Sequence, residues 1–193
     1  VPAHLQKKWI RDMDRFFDVD LTVADRAWVE GERRRLGEEA NIWNQDQQQL
    51  VTSMAFLRQE EFRSALRDAF WDVVVVDEAH KAAKRGDSPS KTANMVETVA
   101  GNSDSLLLLS ATPHDGKGEA FRSLVEYIDP FLVAENRELS QETVDRVMIR
   151  RGKTDIYDDD GERIFPDREV NSVSVSMTHD ERQFYRAVTD YVK

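Results

Sequence analysis

The chain has 193 residues, no cysteine, and 27 Lys+Arg against 37 Asp+Glu, a formal charge of −10. The missing cysteines exclude a disulfide framework, a thiolate metal site and a cysteine nucleophile. The length suits one domain, or one and a fraction, and the apolar runs, such as Val73–Val76 and Leu106–Leu109, fall far short of the ~20 residues of a membrane-spanning helix.

Hydrophobic spacing predicts the elements in turn. Leu5, Trp9, Met13 and Phe16 lie four, four and three apart, one face of a helix. Charges run through Val1 to Phe17, so this stretch does not resemble a signal peptide. Leu21 and Val23 suit a short strand. Residues 26–45 are rich in ions and predict a solvated helix with loops, with Trp28, Leu36 and Trp43 as apolar anchors. A strand is expected over Leu50–Met54 and a helix over Phe56–Phe70, with Phe62, Leu66 and Phe70 four apart.

Val73–Val76 and Leu106–Leu109 are continuous apolar runs bounded by polar residues. Such runs predict strands buried on both faces, as in a parallel sheet between helices. Ser90–Ala100 supplies a crossover helix, and Phe121, Leu124, Val125 and Ile128 a further one that closes at Asp129-Pro130. Alternation at this spacing argues an α/β layer with a parallel sheet flanked by helices. Beyond it, Tyr157–Gly161 reads as a turn, and Val173, Val175 and Met177 as a strand with one buried face. Thr178 and Glu181 form a capping box for a helix carrying Phe184, Val188 and Tyr191.

Asp77-Glu78-Ala79-His80 directly follows the valine strand. Ligands of open parallel sheets bind beyond the carboxyl ends of the strands. Adjacent side chains there point in different directions, so one acid can hold Mg²⁺ as a hard oxygen ligand. The other can orient or deprotonate a water. Ser110-Ala111-Thr112-Pro113 follows the leucine strand in the same way. Its hydroxyls can hydrogen-bond a neighbouring carboxylate or His80.

The pair VVVVDEAHK and LLLLSATPHDGKGEAF resembles motifs two and three of superfamily-two helicase motors. More narrowly it resembles the Swi/Snf-type DNA-dependent ATPases, including the branch related to the bacterial RNA-polymerase-recycling ATPase. VPAHLQKKW is similar to motif Ia of these motors and LVTSMAFLR to motif Ib. MIRRGKTDI, DGERIFPDREV and DERQFYRAVTDYV resemble the run closing the first motor lobe. Four landmarks in the right order make the match specific.

The resemblance implies a partial first RecA-like lobe over 1–149 and a lobe-closing segment over 150–193. It implies ATP and Mg²⁺ as cofactors, with Asp77 on the metal, Glu78 polarising the hydrolytic water, and His80 linking that site to Ser110, Ala111 and Thr112. It places Pro2, Ala3 and His4, with Thr52 and Ser53, on the phosphates of one DNA strand, contacts that position a duplex without reading its sequence. Arg150, Arg151 and Lys153 form a compact basic cluster placed by analogy near the lobe junction; a solvated turn is the equal alternative. The implied partners are double-stranded DNA and RNA polymerase or another DNA-bound protein, in the cytoplasm.

One departure matters. No G-x-x-x-x-G-K-[ST] occurs; Gly116-Lys117-Gly118 is too short and follows the wrong strand. The P-loop strand of the lobe is therefore expected to be missing, and so is the second lobe with its arginine finger. The chain alone is then expected to be inactive, a fragment or a truncated product. A degenerate, non-catalytic interaction module is the alternative. A metal-dependent hydrolase using Asp77, Glu78 and a histidine is weaker, since His4, His80, His114 and His179 lack metal-ligand spacing.

The charge balance carries a last expectation. Asp is 21 and Glu 16, against Arg 19 and Lys 8. An ordinary acidic cytosolic protein fits this, and so does a cytoplasm of very high salt, where a Debye length of ~3 Å at 1 M stops surface carboxylates repelling one another.

Overall fold

The computed structural model describes the chain except for residues 85, 87, 113–117, 134–138, 167, 168 and 193 and the side chains of 63 and 64. Pro113, His114 and the Gly116-Lys117 pair thus lie outside the described residues. The rest falls into two units, Val1–Met148 and Ile149–Lys193.

In the first unit, helix α1 (Gln6–Phe17) ends where Asp18 turns left-handed (φ 54) and its N–H bonds the Asp14 carbonyl. Strand β1 (Thr22–Val23) follows, then α2 (Arg26–Leu36), capped by Asp25, which accepts from the Trp28 N–H at 3.0 Å. Strand β2 (Leu50–Val51) pairs parallel with β1. It is shorter than the expected Leu50–Met54, because the Ser53 hydroxyl caps a new helix, α3 (Met54–Leu57), by accepting from the Phe56 N–H.

The helix expected over Phe56–Phe70 is likewise divided. It breaks after α3, resumes as α4 (Glu60–Leu66), and leaves Phe70 outside and exposed. Across the break Phe56 and Phe62 stack at 4.2 Å. Trp43 and Trp28 meet at 5.1 Å, so the charged segment before β2 is anchored by aromatic packing.

Strand β3 (Trp71–Val76) and β4 (Ser103–Leu108) pair parallel, with Val74 opposite Leu106 and Val76 opposite Leu108. The crossover is α5 (Lys91–Gly101), capped by Ser90; α6 (Gly118–Ile128) and α7 (Gln141–Val147) follow β4. Val74, Val76, Leu106 and Leu108 pack on a core built from Phe62, Leu66, Val96, Leu124 and Tyr127. Each such apolar side chain stabilises the fold by about 1.5–3 kcal/mol on burial.

The expectation of strands buried on both faces is corrected. Val73 is 60% and Leu107 51% exposed. Side chains alternate along a strand, and Val74, Val76, Leu106 and Leu108 pack on the core while Val73 and Leu107, on the opposite face, stay open. The architecture is α/β, with short parallel strand pairs and flanking helices, consistent with part of a RecA-like lobe.

In the second unit, Tyr157 and Arg163 form an antiparallel bridge around the turn at Asp158–Gly161, where Gly161 has φ 81. Helix α8 (His179–Val192) starts at the expected capping box: the Thr178 N–H donates to Glu181 at 2.8 Å and the Glu181 N–H to the Thr178 hydroxyl at 3.4 Å. Val173, Val175 and Met177 form no strand, and Val173 and Val175 are more than 80% exposed. Their alternation finds no neighbouring strand to pair with among the described residues. No described helix is long and apolar enough to cross a membrane.

Candidate active site

The carboxyl ends of β3 and β4 lie side by side. The Leu109 N–H bonds the Val76 carbonyl and the Ala79 N–H bonds the Leu109 carbonyl, both at 2.9 Å. This extends the parallel pairing past both strands and carries Asp77-Glu78-Ala79-His80 next to Ser110-Ala111-Thr112.

Glu78 adopts the left-handed conformation (φ 54, ψ 41). For a residue with a Cβ this costs of order 1–3 kcal/mol, and such backbone strain clusters at functional sites. Local bonds hold it: its N–H donates to Asp77 Oδ1 at 2.8 Å and its carbonyl accepts from the Lys81 N–H at 3.0 Å. The turn brings Glu78 Oε2 to 3.2 Å from His80 Nδ1. The same nitrogen lies 3.1 Å from Ser110 Oγ, which also accepts from the Thr112 N–H at 3.2 Å. Glu78, His80, Ser110 and Thr112 thus form one polar chain across the two strand ends. Ala111 and Thr112 are exposed, whereas Asp77, Glu78, His80 and Ser110 are half-buried and open to a ligand.

The turn after His80 is clamped from below. The buried Tyr127 hydroxyl donates to the Ala82 carbonyl at 3.0 Å, and the Lys84 N–H donates to Ser123 Oγ at 2.9 Å. Burial pushes the Tyr127 phenol far above its ordinary pKa, and the Glu97 and Glu126 charges add to this. Burial works against the Lys84 ammonium, but its hydrogen bond to Glu97 and the charges of Glu126 and Glu97 outweigh it and raise its pKa. Lys84 Nζ lies 2.9 Å from Glu97 and 5.3 Å from the centre of the Tyr127 ring. The apolar spacing of α6 could place Leu124 inside but carried no sign that Tyr127 reaches this turn.

A second cluster forms at the start of the chain. The Met54 N–H donates to the Val1 carbonyl at 3.1 Å, so Pro2 and His4 share a region with Thr52 and Ser53. His4 is exposed and Pro2 half-buried. The Thr52 hydroxyl donates to the Ala24 carbonyl at 2.8 Å, and Ser53 is buried as the cap of α3. Both hydroxyls are therefore engaged within the fold. Trp9 of α1 links the two regions, its indole Nε1–H donating to Asp77 Oδ2 at 2.9 Å. Arg150, Arg151 and Lys153 lie in the second unit and are exposed, with Lys153 Nζ 5.4 Å from the centre of the Phe165 ring.

No three acidic or imidazole side chains converge as a metal site among the described residues. Asp77 instead offers a single half-buried carboxylate at a strand end. That donor suits Mg²⁺, which is commonly held by one or two carboxylates plus water and substrate phosphates rather than by an all-protein cage.

A family model described as the SNF2-related domain matches residues 1–143. The RNA polymerase-associated protein RapA of Photobacterium profundum is 33% identical over 133 residues, covering 67% of this chain and 13% of its own length. The RapA of Vibrio parahaemolyticus is 28% identical over 185 residues, covering 94% of this chain and 18% of its own. That of Yersinia pestis (strain Pestoides F) is 30% identical over 131 residues, covering 67% and 13%. The chain therefore spans only 13–18% of the length of these relatives.

Proposed function

The chain belongs to the SNF2-related domain family, and we propose that it carries the water-activating and coupling part of a Swi/Snf-type motor that uses ATP to move along double-stranded DNA. One observation carries this reading: Glu78, His80 and Ser110 meet at adjacent carboxyl ends of parallel strands, with Asp77 beside them. By their name the RapA relatives associate with RNA polymerase, so RNA polymerase or another DNA-bound protein is the partner we assign.

Asp77 would hold Mg²⁺, which when bound with ATP neutralises charge on the phosphates. Glu78 orients and accepts a proton from water; a carboxylate in contact with His80 is fixed for that task. His80 passes the position of Glu78 to Ser110 and so to the Thr112 backbone. Pro2 and His4, beside Thr52 and Ser53, face the phosphates of one strand. The Thr52 O–H, already donated to Ala24, holds this segment in shape and leaves phosphate contact to its neighbours. Arg150, Arg151 and Lys153 are assigned to the approach to a second lobe.

These 193 residues contain no G-x-x-x-x-G-K-[ST], the loop whose backbone N–H groups and lysine cradle phosphates. By itself the chain binds Mg·ATP weakly and turns none over. The same absence favours one second reading, a non-catalytic interaction module of this fold. Glu78→Gln, placed in a motor assembled with a phosphate-binding loop and second lobe, separates the two. Gln cannot accept the proton, so ATP and DNA binding persist while DNA-stimulated phosphate release stops. Turnover unchanged by the substitution overturns the role of Glu78. An assembled wild-type motor with no turnover favours the interaction module.

A further inference from the structure

We propose that Trp9 is a positioning residue for the Asp77 carboxylate, fixing its orientation toward a divalent cation. This rests on the reading of Asp77 as the metal ligand. Trp9 stands 68 residues before Asp77, on α1, and its indole Nε1–H donates to Asp77 Oδ2 at 2.9 Å. The other oxygen, Oδ1, accepts the Glu78 N–H at 2.8 Å. Both oxygens of one carboxylate are therefore held, from two different elements.

The chemistry of the two donors matters. A carboxylate has about four lone-pair sites. Two neutral N–H groups occupy two of them and leave one on each oxygen for a cation. Rotation of the carboxylate about its bond to Cβ breaks both hydrogen bonds, so a single orientation is presented. An indole N–H is donor only and carries no charge. It holds Asp77 without neutralising it, as a lysine or arginine would. Hydrogen bonds to a charged acceptor are also stronger than neutral ones. Partners that hydrogen-bond a metal-ligating group typically change metal affinity by about 10–100-fold when removed.

The same bond ties α1 to the strand end, so the helix that follows the Pro2–His4 segment bears directly on the cation site. Trp9→Phe keeps an aromatic ring on the helix face and removes the donor together with the second ring of the indole.

The test uses this chain, ¹⁵N-labelled, with Mn²⁺ alone as the probe. The indole N–H resonances of Trp9, Trp28, Trp43 and Trp71 are followed during titration, and affinity at the Asp77 site is read from the broadening of the Glu78 amide, because the 37 acidic side chains bind Mn²⁺ elsewhere too. Mn²⁺ is expected to broaden the Trp9 signal before the other three. Trp9→Phe is expected to weaken Mn²⁺ binding about tenfold, and Asp77→Asn to abolish it. Asp77→Asn is also expected to move the Trp9 indole resonance, a readout that holds even if Trp9→Phe folds poorly. An affinity for Trp9→Phe within about twofold of the parent chain, with Asp77→Asn still inactive in binding, overturns the role of Trp9 and leaves the Asp77 reading standing. Undiminished Mn²⁺ binding by Asp77→Asn removes Asp77 as the ligand, and the role of Trp9 with it. A Trp9 resonance unmoved in Asp77→Asn overturns the hydrogen bond itself.

Discussion

His80 Nδ1 stands 3.1 Å from Ser110 Oγ and 3.2 Å from Glu78 Oε2, joining strand ends 30 residues apart in the chain. One ring nitrogen carries at most one hydrogen. A carboxylate only accepts, and the Ser110 hydroxyl oxygen can accept as well, so a hydrogen on Nδ1 suits both neighbours. We therefore expect the neutral His80 to be the Nδ1–H tautomer, read from the long-range ¹⁵N–¹H pattern of the imidazole. In Glu78→Gln an amide N–H can donate to Nδ1, and the Nε2–H tautomer should gain population. An Nε2–H tautomer in the unsubstituted chain would break the proposed link between Glu78 and Ser110.

Tyr127→Phe tests the clamp beneath the turn. The substitution leaves the Ala82 carbonyl, on a fully buried residue, without its 3.0 Å partner. Stranding a buried acceptor costs about 1–3 kcal/mol. Urea unfolding should show that loss. A variant as stable as the parent would mean that water replaces the phenol.

Alkaline pH tests the same region through linkage. The folded-state pKa values of Tyr127 and Lys84 are both raised, so the folded state holds these protons more tightly than the unfolded chain. Their contribution is fully present below the unfolded values of about 10 and is lost as pH rises above them. The urea midpoint should fall above about pH 10, less steeply in Tyr127→Phe. Equal slopes in the two proteins would remove Tyr127 from the effect.

The one-sided burial of the β3–β4 sheet predicts an asymmetric response to substitution. Val73→Thr and Leu107→Thr, on the open face, should change stability by less than about 0.5 kcal/mol. Phe62→Ala, under the covered face, should cost about 3–5 kcal/mol. A large loss at Val73 would show that a further element covers that face in solution.

Salt is the remaining test. With 37 Asp+Glu against 8 Lys, the chain should gain stability between ~0.1 M and ~3 M KCl, as the screening length drops from about 10 Å to a few Å and self-repulsion of the acidic surface fades. Phosphate contacts should weaken over the same range through reduced counterion release. A thermal midpoint that stays flat or falls with salt would make the composition that of an ordinary acidic protein.

Motifs and helix starts were legible in the sequence because they are local. Asp77 and Glu78 follow a run of valines, and a strand end is where a sheet presents ligands. The caps at Ser90 and Thr178 bond groups three residues away, a distance that sequence pattern encodes directly. The juxtaposition of His80 with Ser110 was also foreseeable, since two apolar runs joined by one helix pair in parallel with their carboxyl ends level. Other features depended on neighbours that no local pattern names. Val73 and Leu107 carry the same apolar signal as Val74 and Leu106, and only the placement of α5 and α6 decides which face is covered. Val173, Val175 and Met177 alternate as a strand does, yet a strand needs backbone partners from elsewhere in the chain. Trp9 reads as one more apolar residue on a helix face, and Tyr127 as one more on another. Their single polar hydrogens acquire a role only when packing brings Asp77 and the Ala82 carbonyl within about 3 Å of them.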